Sequence, residues 1–97
     1  MVIGTLMIEL HVPASQSLKE RRRAVRPTMA RLQKLFDVAV ADITEQNTWQ
    51  AATLGVACVS KDERHADEMC QKIRTELDRL SEVVVFSSRF ELVHVNR

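Results

Sequence analysis

The sequence predicts an α+β domain: one antiparallel sheet of four strands, with two helices covering a single face. Three observations predict it. Four stretches carry the period-two or β-branched pattern of strands. Two others carry an apolar stripe at the 3.6-residue period of a helix. The six follow the order β-α-β-β-α-β. At 97 residues, 45% of them apolar and 28% charged, with two glycines and two prolines, the chain has the make-up of one domain spanning 1–97.

Val2–Val12 alternates strictly. Gly4, Leu6, Ile8, Leu10 and Val12 point one way and Ile3, Thr5, Met7, Glu9 and His11 the other, which makes a strand with one buried face. Pro13 ends it. The stretch Ser15–Phe36 follows as a helix, with Ser17 and Glu20 spaced as a capping box. Its core stripe is Leu18, Val25, Met29, Leu32 and Phe36, within about 60° of arc. That phase holds across Pro27, so the reading is one kinked helix, not two. Asp37–Glu45 is a second strand, Gln46–Thr48 a turn, and Trp49–Val59 a third strand, the short connection making the last two a hairpin. Ser60–Glu63 reads as a capping box opening a helix with the stripe Ala66, Met69, Cys70, Ile73, Leu77 and Leu80. On its outer face Arg64, Glu68, Lys72 and Glu76 are successive i,i+4 partners. Val83–Val95 is the last strand, and Ser87–Ser88 breaks its alternation, which predicts a bulge there.

Right-handed crossovers in this order give the split β-α-β, ferredoxin-like arrangement, with strand order 4-1-3-2. The start of the first helix, the hairpin tip and His11 then share one end of the molecule.

Charge is strongly polarised. The whole chain has 14 basic and 13 acidic residues. The first helix holds seven of the basic ones (Lys19, Arg21, Arg22, Arg23, Arg26, Arg31 and Lys34) against Glu20 alone, leaving seven basic and twelve acidic residues elsewhere. Basic residues at a helix start oppose the macrodipole by about a few tenths of a kcal/mol each, so their density there points to an external anion. The expected contact set is Ser15, Ser17, Lys19, Arg22, Arg23 and Arg26, a phosphate-binding surface. The bland alternative is a solvated face that pairs with acids elsewhere or across a dimer. Trp49, the only tryptophan, sits on the hairpin tip. There it can stack on a base or anchor a partner, although the commoner fate is to fold over the end of the core.

Other chemistries find little support. An RNA-recognition motif needs aromatics on the open face of strands one and three. Those positions are Thr5, Met7, Glu9 and His11, and Thr53, Gly55, Ala57 and Val59. This small, partly apolar face is instead suited to burial against a second subunit. His11, His65 and His94 fall on different elements, so no metal site is expected. Cys58 and Cys70 fall on core faces, and both are expected to be reduced. The loop VPASQSLK has no glycine to cradle an acyl phosphate, which argues against the acylphosphatase activity found on this fold. No catalytic residue and no cofactor are expected. The amino-terminal stretch lacks a basic n-region, and no apolar run approaches the ~20 residues of a membrane span, so a cytoplasmic protein without membrane contact is expected.

The stretches GTLMIELHVPASQSLKERRRAVRP and FDVAVADITEQNTWQAATLGVACVS, with the acidic helix start KDERHADEM, resemble the YlxP-like family of small bacterial proteins of unknown function. The resemblance covers nearly the whole chain. It implies the ferredoxin-like fold, and a bacterial protein tied to RNA or ribosomes, because the family is often encoded beside translation and ribosome-maturation factors. It implies no catalytic residue. The expected function is therefore a non-enzymatic protein associated with ribosomal RNA or the ribosome through its basic helix. The alternative is a homo-oligomeric interaction or small-ligand-sensing module without nucleic-acid binding.

Overall fold

A computed structural model describes residues 1–45 and 48–96. The elements are β1 (Val2–His11), α1 (Leu18–Leu35), β2 (Ala39–Asp42), β3 (Ala51–Ser60), α2 (Glu63–Asp78) and β4 (Val84–His94). The sheet order is β2-β3-β1-β4 with every neighbour antiparallel, the expected ferredoxin-like plait. The radius of gyration is 13.7 Å, close to the ~13 Å expected of a single domain this size.

The alternation in β1 decides which side of the sheet is covered. Leu6, Ile8, Leu10, Leu54 and Val56 are buried beneath the helices with Val25, Leu32, Ile73 and Leu77. Each such side chain contributes about 1.5–3 kcal/mol by leaving water. α1 lies over β2 and β3, and α2 over β1, β3 and β4. Among the described residues no element covers the opposite face of the sheet.

α1 is one helix through Pro27, as its continuous phase predicts. Its N-cap is Ser17, whose hydroxyl accepts from the Glu20 amide at 3.1 Å. The Glu20 carboxylate accepts from the Gln16 amide at 2.7 Å, one residue before the cap. The buried face of α1 is Arg21, Val25, Thr28 and Leu32, not the predicted stripe. At 100° per residue that is a roll of roughly 40°. It leaves Leu18, Met29 and Phe36 half-buried and brings Arg21 inside.

Three boundaries differ from the sequence reading, each for a local reason. β2 is four residues, shorter than the expected Asp37–Glu45. Phe36 and Val38 are still bonded to the helix exit, and the Asp42 carboxylate accepts from the Thr44 amide at 3.0 Å, so that the Thr44 hydroxyl, and not a backbone carbonyl, takes the Thr53 amide at 2.9 Å and the regular ladder ends. The expected strand start at Trp49 falls in the connection, and β3 begins at Ala51. Of the expected turn, Gln46 and Asn47 lie outside the described residues. The N-cap of α2 is Asp62, which accepts from the His65 amide at 2.9 Å, and not Ser60. Ser60 is claimed by the sheet, paired with Val2.

The bulge in β4 falls at Phe86, just before the serines. Leu10 pairs with Val85 and Glu9 with Ser87, so Phe86 and Ser87 together oppose Glu9. Both side chains are thereby left outside the core, and Phe86 is 78% exposed.

Candidate functional site: a basic helix face beside the hairpin connection

The end of the molecule that carries the helix start is stitched together by hydrogen bonds. The Val12 amide donates to the Gln50 carbonyl at 2.8 Å, and Gln50 Nε2 to the Ser15 carbonyl at 3.4 Å. Arg21 Nη1 donates to the Thr48 carbonyl at 2.7 Å. The loop before α1, the end of β1 and the β2–β3 connection are thus one unit, as the topology requires.

Seven cations on α1 divide into two groups. Two are used internally. Arg21 is only 8% exposed, and its Nε has no hydrogen-bond partner among the described residues. Arg31 pairs with Glu76 of α2. Glu76 is itself buried and also faces Arg79 at 3.9 Å. This corrects the expected Lys72–Glu76 pairing on an outer face of α2, because Glu76 turns toward α1. The Arg64–Glu68 pair does form, at 3.2 Å.

The other five, Lys19, Arg22, Arg23, Arg26 and Lys34, are exposed and make no ion pair among the described residues. Residues three and four apart are neighbours on a helix, so Lys19, Arg22, Arg23 and Arg26 form one patch over two turns. The core-facing roll of α1 points this patch directly outward.

The two serines sit differently. Ser15 is buried and its hydroxyl donates to the Ser17 carbonyl at 3.0 Å; the Ser17 hydroxyl is occupied as the cap. Both shape the helix entry. The helix start also has its own anion in Glu20, which lines a shallow groove with Arg23, Ser15 and Glu82. The expectation that Trp49 folds over the end of the core is not met: it is 50% exposed, at the same end as the basic patch.

Sequence reasoning missed Phe86. The Ser87–Ser88 pair gave a bulge signal, but which residue the bulge turns outward depends on register with β1. The histidines are dispersed as expected: His94 pairs with Val2 at one end of the sheet and His11 with Val84 at the other. His94 Nε2 is 2.6 Å from the Glu63 carboxylate, and His65 Nδ1 2.6 Å from the Ser60 hydroxyl. Cys58 and Cys70 are both buried and face each other. Burial, and then the neighbouring Cys58 thiol, push the Cys70 pKa up to about 11. Among the described residues no helix is long and apolar enough to cross a membrane.

These features define a small ferredoxin-like α+β domain with a cluster of exposed cations, Lys19, Arg22, Arg23 and Arg26, on one face of α1, and a sheet whose other side no described element covers. The chain belongs to a family described as proteins of unknown function, DUF503, whose profile matches residues 3–90. It is 29% identical over 82 residues to the uncharacterized protein YlxP of Bacillus subtilis (strain 168), covering 84% of this chain and 89% of that protein. The YlxP-like resemblance is thereby borne out. Among solved structures it resembles a de novo designed protein with a ferredoxin fold, with 10% identity and a TM-score of 0.49, over 96% of this chain and 84% of the design. It also resembles the C-terminal domain of LarC, a cyclometallase involved in synthesis of the NPN cofactor of lactate racemase. That likeness has 16% identity and a TM-score of 0.46, over 96% of this chain and 56% of the other.

Proposed function

We propose that this protein is a non-enzymatic binding protein that docks the phosphate backbone of RNA, ribosomal RNA in particular, through the exposed face of α1. The observation that carries the reading is the division of the helix cations. Arg21 and Arg31 are engaged within the fold, while Lys19, Arg22, Arg23 and Arg26 stand together, exposed and without a carboxylate partner among the described residues. Unpaired cations in one patch match a polyanion, because each phosphate neutralised releases condensed counterions. Arginine forks suit phosphate oxygens in pairs. Trp49, half-exposed at the same end, adds a ring on which an unpaired base stacks. Such contacts fix position without reading sequence. The genomic company implied by the YlxP-like resemblance points the same way.

The test is binding of the purified protein to single-stranded ribosomal RNA fragments and to ribosomal subunits across a salt series. Four phosphate contacts to single strands give a log–log slope of about −3. The Arg22→Glu/Arg23→Glu variant, altered only at exposed positions, should lose association and keep the wild-type circular dichroism spectrum. Trp49 fluorescence should change on RNA addition. No binding of the wild-type protein at low salt, or an unchanged slope in the variant, overturns the proposal.

A further inference from the structure

The side of the sheet away from the helices carries an apolar surface that the RNA-binding reading does not use. Its large exposed side chains are Met7, Ile43, Val59, Val84, Phe86 and Val93. Register places them: Met7 faces outward beside Arg89 and Gly55, Val93 beside Ile3, and Val84 beside His11. A contiguous apolar face of this kind on a small domain marks an interaction site.

The face has two unlike halves. On β3 and β2 most outward positions are small: Ala51, Thr53, Gly55 and Ala57, with Ala39 and Ala41 alongside, while the bulky Val59 stands at the Ile3 end and Ile43 beside Gly55. On β4 they are bulky: Val84, Phe86, Arg89, Glu91 and Val93. At the end nearest the hairpin connection the surface opens into a cleft of about 570 Å³. Met7, Glu9, His11 and Thr53 contribute to it, with Ile43 at one side and Phe86 at the other. Ile43 lies over Gly55, where an added Cβ would come within 3.3 Å of its Cδ1.

We infer that a second copy of this chain covers this face, in a two-fold dimer in which Phe86 of each copy fills the cleft of the other. The shape argument is direct. A two-fold axis lying parallel to the strands, between β1 and β3, keeps each row in place and exchanges left for right. The bulky β4 half of one copy then lands on the small β3–β2 half of the other. Phe86, which borders the Glu9 row, arrives over the Thr53 and Ile43 side of the opposing cleft. An aromatic ring seated this way is the kind of anchor that dominates interfaces.

Area and charge agree. Three strands of ten or eleven residues make a face about 33 Å by 14 Å, roughly 500 Å² in projection. With protruding side chains and the flanking β2, its accessible surface is on the order of the ~800 Å² per partner of a standard interface. Arg89 is already engaged by Glu91 at 3.6 Å and by the Met7 sulfur, also at 3.6 Å. With Glu9 the face holds two carboxylates and one guanidinium, which suits another protein surface and repels a nucleic acid. Pairing through the free edge of β4 is a poorer fit, because the bulge interrupts that edge.

The experiment is sedimentation velocity of the full chain over a concentration series, with two variants chosen at the two halves, Phe86→Asp and Ala57→Arg. The wild-type protein should sediment as a dimer of the 11.1 kDa chain. Each variant should weaken dimerisation at least about 30-fold, as loss of an anchor does, with unchanged circular dichroism. Lys34→Glu, on the far side of the molecule, should still dimerise. A wild-type protein that stays monomeric to about 100 µM overturns the inference and assigns the face to another partner. Dimers that survive both variants overturn it as well, in favour of an edge contact. Neither result touches the RNA-binding proposal, whose variants lie on α1.

Discussion

The Arg31–Glu76 pair decides how many cations α1 presents, and its two halves should respond unequally to mutation. Glu76 is buried, its side chain 10% exposed, whereas the Arg31 side chain is 51% exposed. Arg31→Ala leaves a buried carboxylate whose nearest remaining cation, Arg79, is 3.9 Å away and outside hydrogen-bond reach. An uncompensated buried charge costs about 3–5 kcal/mol when fully enclosed, and we expect about 2–3 kcal/mol here because Arg79 and the remaining exposure offset part of it. Glu76→Gln keeps the volume and an acceptor, and the half-exposed Arg31 head turns into water. That change should cost about 1 kcal/mol. For a domain of this size each kcal/mol moves Tm by about 4–8 °C, so Arg31→Ala should melt roughly 10–20 °C lower and Glu76→Gln about 4–8 °C lower. Thermal and urea denaturation followed by circular dichroism reads both. Equal losses, or a larger loss from Glu76→Gln, would refute the argument that burial of the carboxylate sets the energetics of this pair.

Two further predictions concern the core between β1, β3 and α2. The Cys70 thiol, pushed up to about 11 from 9.0, keeps its proton better in the folded than in the unfolded chain. Its contribution to stability is therefore full below about pH 9 and is lost as pH rises toward 11, so the urea midpoint should fall between pH 8.5 and roughly pH 11 in wild-type protein but not through this residue in Cys70→Ala. Gly4→Ala introduces a Cβ at 3.1 Å from both Ala66 Cβ and Cys58 Sγ. Overpacking of that sort costs about 1–3 kcal/mol, and a Gly4→Ala protein as stable as wild type would show that α2 moves away freely.

The fold was legible because its signals are local and agree with one another. Strict alternation in β1 and β3, and one apolar stripe per helix, leave a single way to bury everything. What escaped was decided by contacts between elements. Ser60 has the spacing of an N-cap, but its backbone belongs to the ladder with Val2, so the cap passes to Asp62. Asp42 and Thr44 look like strand residues until the carboxylate folds back onto the Thr44 amide. The roll of α1 has the same origin. Helical periodicity places Arg21 at the flank of the apolar stripe; in the fold its long apolar stem packs inward while its head reaches the Thr48 carbonyl across 27 residues of sequence.

The same limit governs the surface. Net charge along α1 was read correctly as a sum, but a sum treats seven cations as equivalent. Folding withdraws Arg21 to the β2–β3 connection and Arg31 to Glu76, and Ser15 and Ser17 to the helix entry. Besides Lys34 near the far end of the helix, what remains outward is narrower and better defined: Lys19, Arg22, Arg23 and Arg26 on two turns, with Trp49 at the same end. Phe86 followed the opposite course. In sequence it is one more apolar residue of a core strand, and a single extra residue opposite Glu9 places it on the far side of the sheet. The sheet thus separates two surfaces of different physics. RNA binding through the helix side, as proposed, should weaken with salt. Dimerisation through the apolar side, as inferred, should not, so a salt series on one and the same protein should separate the two.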